Sequence, residues 1–171
     1  MFSIGKKVIY GTQGICEVRG TTEKTIGKTK LEYYVLVPIY DTKSTIYIPV
    51  KNEKLLENIR KVLSETEINA LIDTAAKNQL AWIEDDLKRK EICNQIFKSG
   101  DRLDIMRLIE MLYLRREALK QTKKHFHISD ERYLREAERL IHDEFSYVLG
   151  IEQNKVPEYI LNRIEKTTSF V

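Results

Sequence analysis

The chain has 171 residues, 42% of them hydrophobic and 32% charged, yet its net charge is only +3. Apolar content of that order supports a folded core rather than disorder. So small a net charge excludes a polycation that coats nucleic acid over its whole surface. No apolar run approaches the roughly 20 residues of a membrane span, and the opening MFSIGKKVIY lacks the apolar core of a signal peptide. A soluble cytoplasmic protein is expected, with no membrane partner. Cys16 and Cys93 have no CxxC spacing and read as two reduced, buried thiols.

The first fifty residues read as strands. Lys7-Val8-Ile9-Tyr10 and Ile15-Cys16-Glu17-Val18 are separated by a turn between Gly11 and Gly14. In the run 32–38, Tyr33, Val35 and Val37 face one way and Tyr34 and Leu36 the other, as in a half-buried sheet. Residues 23–28 look like a hairpin tip with Gly27 free to take positive φ, and residues 41–44 look like a second turn. Ile46 and Ile48 alternate with Tyr47, and Pro49 marks a strand end or a sheet edge. Short strands in this number suggest a small SH3- or Tudor-like β-barrel.

A linker covers 51–63, with a short helical turn. Helix follows. Ser64 and Glu67 form a capping box before Ile68, Leu71 and Ile72. A second helix, about 80–98, has a thin apolar stripe of Trp82, Leu87, Ile92, Ile96 and Phe97. Ser99-Gly100-Asp101 breaks the chain and caps a third helix over about 102–121, with Ile105, Leu108, Ile109, Leu112 and Leu119 at core spacing. A fourth helix starts at Ser129-Asp130, carries Leu134, Ala137, Ile141 and Phe145 on one face, and stops at Gly150. Pro157 opens a last one. The expected class is α+β: a small N-terminal barrel over 1–55, followed by an all-α helical bundle domain over 56–171.

Catalytic equipment is missing from the pattern. There is no Gly-rich phosphate loop, no GxSxG and no Cys/His set at metal spacing. The expectation is no enzyme, no cofactor, no metal and no small-molecule substrate. Glu84-Asp85-Asp86 suits a helix start, and His125 and His127 suit solvated or capping roles. The basic excess lies in the strand module and in the middle helices, where it clusters as Lys88-Arg89-Lys90, then Arg115-Arg116, with Lys120, Lys123 and Lys124 beyond. Such clusters neutralise phosphates or form ordinary solvated faces. Residues 125–171 hold an excess of acid. Trp82 admits two readings, a core residue or a wedge beside a kinked base step.

The start F-x-I-G-x-x-V-x-Y-x-x-x-G, then E-Y-Y-V-L and I-x-I-P, resembles the CarD/CdnL family of bacterial transcription regulators. So do W-I-E-D-D-L-K-R-K, K-S-G-D-R, L-Y-L-R-R-E and A-E-R-L-I-x-x-E-F in the helical half. The resemblance implies a Tudor-like domain that binds the RNA polymerase β subunit by strand addition, through Lys24, Ile46, Tyr47 and Ile48. Tyr47 stands where some members carry an arginine. It further implies a helical domain that contacts the upstream fork of promoter DNA with weak sequence specificity. Trp82 would be its wedge, and Lys88, Arg89, Lys90, Arg115, Arg116 and Arg132 its phosphate contacts. The function implied is a regulator of open-complex stability. The alternative is a protein-only adaptor, with polymerase on the barrel and another protein on the helices.

Overall fold

The computed structural model describes residues 2–168. The chain divides into two compact units, Met1–Val62 and Leu63–Val171.

The first unit is an antiparallel sheet of five strands in the order β4-β3-β2-β1-β5. The strands are β1 (Lys7–Tyr10), β2 (Ile15–Ile26), β3 (Thr29–Pro38), β4 (Ile46–Pro49) and β5 (Ile59–Lys61), with a single turn of helix, α1 (Glu53–Leu56), between the last two. The core is built from cross-strand neighbours on one face: Val8 opposite Cys16, Val18 opposite Leu36, and Tyr34 opposite Ile48. Such directly opposed pairs are the unit of sheet stability. The ring of Phe2 closes over Tyr34 edge-to-face at 5.3 Å.

Three features depart from the sequence reading. The segment 23–26, expected at a hairpin tip, is paired strand: β2 and β3 run in register out to Ile26 opposite Thr29. Only Gly27 and Lys28 form the turn, and φ of Gly27 is 64°, as the first central position of a II′ turn requires. The register shifts between Val18 and Gly20, a bulge that bends the long β2 strand. The supposed linker contributes β5, which pairs with β1. Finally, the sheet is open. Among the described residues β4 and β5 are its two edges, and no pairing joins them into the expected barrel.

The second unit is helical: α2 (Glu65–Ala75), α3 (Asp86–Ser99), α4 (Arg102–Gln121), α5 (Ile128–Leu149) and α6 (Val156–Thr168). The local signals explain the boundaries. Ser64 and Glu67 make a reciprocal capping box at α2. Asp101 caps α4 by accepting from the Asp104 N–H at 3.0 Å. Gly100 and Gly150 end α3 and α5 in the left-handed conformation. α5 begins at Ile128, with no side-chain cap at His127; Asp130, expected near a cap, points instead into the protein and is fully buried.

One apolar cluster joins α2, α4, α5 and α6 around Ile68, Ile72, Ile105, Ile141 and Phe145. A second joins α3, α4 and α5 around Cys93, Leu108, Leu112 and Leu134, with Trp82 partly buried against it. In α3 the expected stripe holds at Ile96 and Phe97, which pack against these clusters, and breaks at Leu87. Leu87 is 79% exposed, and the buried positions are Arg89 and Cys93. No helix among the described residues is long and apolar enough to cross a membrane.

Candidate functional site

In the first unit the informative place is the β4 edge. β4 pairs with β3 on one side only. The Val50 N–H donates to the Glu32 carbonyl at 2.9 Å. An antiparallel ladder alternates bonded and non-bonded pairs, so Ile48 and Ile46 bond to β3. The backbone N–H and C=O of Tyr47 are then directed away from the sheet. Pro49 falls at an outward position, where its missing N–H costs the ladder nothing.

Side chains alternate the other way. Ile48 is fully buried, and Ile46 packs against the same core. The period of two turns both side chains inward, so their bulk belongs to the core and it is the backbone of this strand that is presented at the edge. Tyr47 is 43% exposed. Lys24 reaches it from the extended β2 strand, with Nζ 3.0 Å from the ring centre. That contact holds a cation against the outward face of the edge.

In the second unit Trp82 lies in the loop between α2 and α3, not at the head of a helix. Its ring is packed against two guanidinium groups, Arg89 at 4.4 Å and Arg115 at 4.9 Å. Its indole N–H is buried, without a hydrogen-bond partner among the described residues. The tryptophan is thus partly a core residue, held by cations. The neighbouring cleft, about 250 Å³, is lined by Trp82, Arg115, Lys124, His125 and His127, with Glu84 and Asp86 opposite in charge.

Arg89 is 1% exposed and makes a bidentate pair with fully buried Asp130, Nε to Oδ1 at 3.1 Å and Nη2 to Oδ2 at 2.9 Å. Nη1 donates to the Ile83 carbonyl at 2.7 Å, and Nη2 also meets Asp86. Burial pulls the Arg89 pKa down, but its hydrogen bonds to Asp130 and Asp86 outweigh that and hold it above the ordinary value. The same contact holds the Asp86 carboxyl below the usual carboxylate range. Arg89 therefore has no free face for a phosphate, and its place among the DNA contacts is corrected: it fixes the Trp82 loop onto α5.

The remaining cations are sorted by their partners. Arg115 lies 3.8 Å from Glu84, and Arg116 lies 3.5 Å from Glu131. Lys88, Lys90 and Arg132 are exposed. Trp82, Arg89 and Arg115 are brought together; Lys88 and Lys90 lie on the solvent side of α3. Sequence reasoning missed Asp130 as the partner of Arg89. A signal existed in the spacing of Arg89, Cys93 and Ile96, which places the arginine on the apolar stripe.

Residues 2–63 match the CarD-like/TRCF RID domain. The chain carries a CarD-like RID domain. The match covers the open sheet and its β5 strand, supports a CarD-like family protein, and points to an RNA-polymerase-interacting, transcription-related role. Comparison with curated proteins finds no significant match.

Proposed function

We propose that the protein is a non-enzymatic regulator of transcription initiation. Its RID domain holds the RNA polymerase β subunit by strand addition, and its helical unit holds the upstream fork of promoter DNA. The observation that carries the reading is the β4 edge within a matched RID domain: unpaired backbone groups at Tyr47, with Lys24 held against the Tyr47 ring. Strand addition draws its affinity from such main-chain groups and its selectivity from the flanking side chains. Lys24 supplies the positive charge that the resemblance assigns to an arginine in some relatives, so the facing polymerase strand is expected to bring a carboxylate.

In the helical unit, Lys88, Lys90, Arg115, Arg116 and Arg132 supply phosphate contacts, with Trp82 beside Arg115. Phosphate contacts fix register without reading sequence. A protein that binds the open complex better than the closed one by about 1–3 kcal/mol shifts their ratio by about 5- to 150-fold.

The test is retention of the full-length chain on immobilised RNA polymerase. Tyr47→Pro removes the outward N–H while leaving the β3–β4 ladder intact, and Lys24→Glu reverses the edge charge. Both are expected to lose retention while keeping the wild-type melting temperature. Undiminished retention of Tyr47→Pro would overturn the strand-addition reading.

A further inference from the structure

Most arginines of the helical unit are committed to a carboxylate. Arg89 pairs with Asp130, Arg102 with Glu144, Arg107 with Asp104, Arg139 with Glu136 and Asp143, and Arg163 with Asp73. Two on α5 are different. Arg132 and Arg135 are exposed, one turn apart, and neither has an ion-pair partner among the described residues. They sit at one groove of about 540 Å³, lined by Phe97, Arg132, Tyr133, Arg135, Glu136 and Arg139.

The floor of this groove is aromatic. The rings of Phe97 and Tyr133 stack at 6.0 Å with 23° between their planes. Tyr133 is steadied by its hydroxyl, which donates to Asn94 at 3.2 Å. Arg139, held by two carboxylates, is committed elsewhere and adds little free charge.

Resting on the reading that the helical unit meets DNA, we propose that this groove takes one strand of nucleic acid. Two neighbouring phosphates lie against Arg132 and Arg135, and a base lies against the Phe97–Tyr133 pair. Residues three apart on a helix stand about 5–6 Å from each other, comparable with successive phosphates along a strand. Uncommitted guanidinium groups beside an aromatic platform are the combination that binds single strands without sequence preference. A duplex keeps its bases closed in the stack, so it can use the arginines but not the aromatic floor. A strand freed at the border of melted DNA can use both.

The experiment is fluorescence anisotropy on the full-length protein, with labelled oligo(dT) and a hairpin duplex of equal length as probes, over a salt series. In Arg132→Ala/Arg135→Ala, oligo(dT) affinity is expected to fall about tenfold or more. The slope of log K against log salt should become shallower by roughly 1.4, about 0.7 for each phosphate no longer neutralised. Tyr133→Leu should weaken oligo(dT) binding without changing the slope. Duplex binding should be unchanged by Tyr133→Leu, weakened less than oligo(dT) binding by the double alanine change, and abolished in Lys88→Glu/Lys90→Glu. Melting temperatures like that of the wild type establish that all variants are folded.

Unchanged oligo(dT) binding in the double alanine variant overturns the groove. So does an equal loss on the duplex, or equal displacement of the strand by polyglutamate. A wild-type protein that binds duplex but no single strand overturns the groove alone. One that binds neither overturns the DNA reading as well.

Discussion

Arg89→Leu removes one half of a pair that has no access to water: the arginine is 1% exposed and Asp130 0%. The variant leaves the Asp130 carboxylate in the interior without the two hydrogen bonds, at 3.1 and 2.9 Å, that compensate its desolvation. It also deprives the Ile83 carbonyl of its donor. Breaking a buried ion pair by deleting one partner costs about 3–5 kcal/mol, a large share of the about 5–15 kcal/mol that stabilises a typical domain. At about 4 °C per kcal/mol, the helical unit would melt on the order of 15 °C lower.

Urea unfolding followed by tryptophan fluorescence measures this directly. Trp82 is the single tryptophan, and its ring lies 4.4 Å from the Arg89 guanidinium. The double variant Arg89→Leu/Asp130→Leu should recover most of the loss, because no charge is then stranded. A loss below about 1 kcal/mol in the single variant would mean a solvated pair. Arg89 would then be open to ligands, and its assignment as a structural cation would fall.

Burial pushes the Cys16 and Cys93 thiols up to about 11. A raised native pKa gives stability that is complete below the unfolded thiol value and is lost as pH rises toward 11. Stability should therefore hold up to about pH 8.5 and decline above it, and both thiols should resist iodoacetamide at pH 8 until the chain is unfolded. Lys123 takes φ 55° just after α4, where the Lys124 N–H donates to the Leu119 carbonyl and the Lys123 N–H to that of Lys120. Glycine is the natural residue there, so Lys123→Gly should raise stability by a few tenths to about 1 kcal/mol in urea titration. Glu144, 3% exposed, accepts two bonds from Arg102 at 2.8 and 2.9 Å and one from the Leu63 N–H at 2.9 Å. Glu144→Ala should cost about 1–3 kcal/mol, since it removes the acceptor of the Leu63 N–H while the Arg102 guanidinium, 16% exposed, can turn to water; thermal denaturation reads the loss.

Wherever a signal acts over a few residues, the linear order was sufficient. The capping box at Ser64 and Glu67, the Gly100–Asp101 junction, and the stop at Gly150 are local chemistry, and each stands where it was expected. The same holds for the alternation that buries Tyr34, Leu36 and Ile48, and for the apolar face of α5. The family resemblance was carried by motifs in order along the chain, and the RID match bears it out for residues 2–63.

Partnership between distant residues was not written locally. Whether the strands close depends on which edges meet, and here β4 and β5 stay apart as the two ends of one sheet. Arg89 read as one of three adjacent cations, but only the approach of α5, 41 positions later, turns it inward onto Asp130. The C-terminal segment has an acidic excess, yet folding places most of those carboxylates against arginines, leaving Arg132 and Arg135 uncommitted. Net charge is a property of composition. Which charge remains free is decided by distance in three dimensions, since a carboxylate cancels a guanidinium only where the packed helices bring them together.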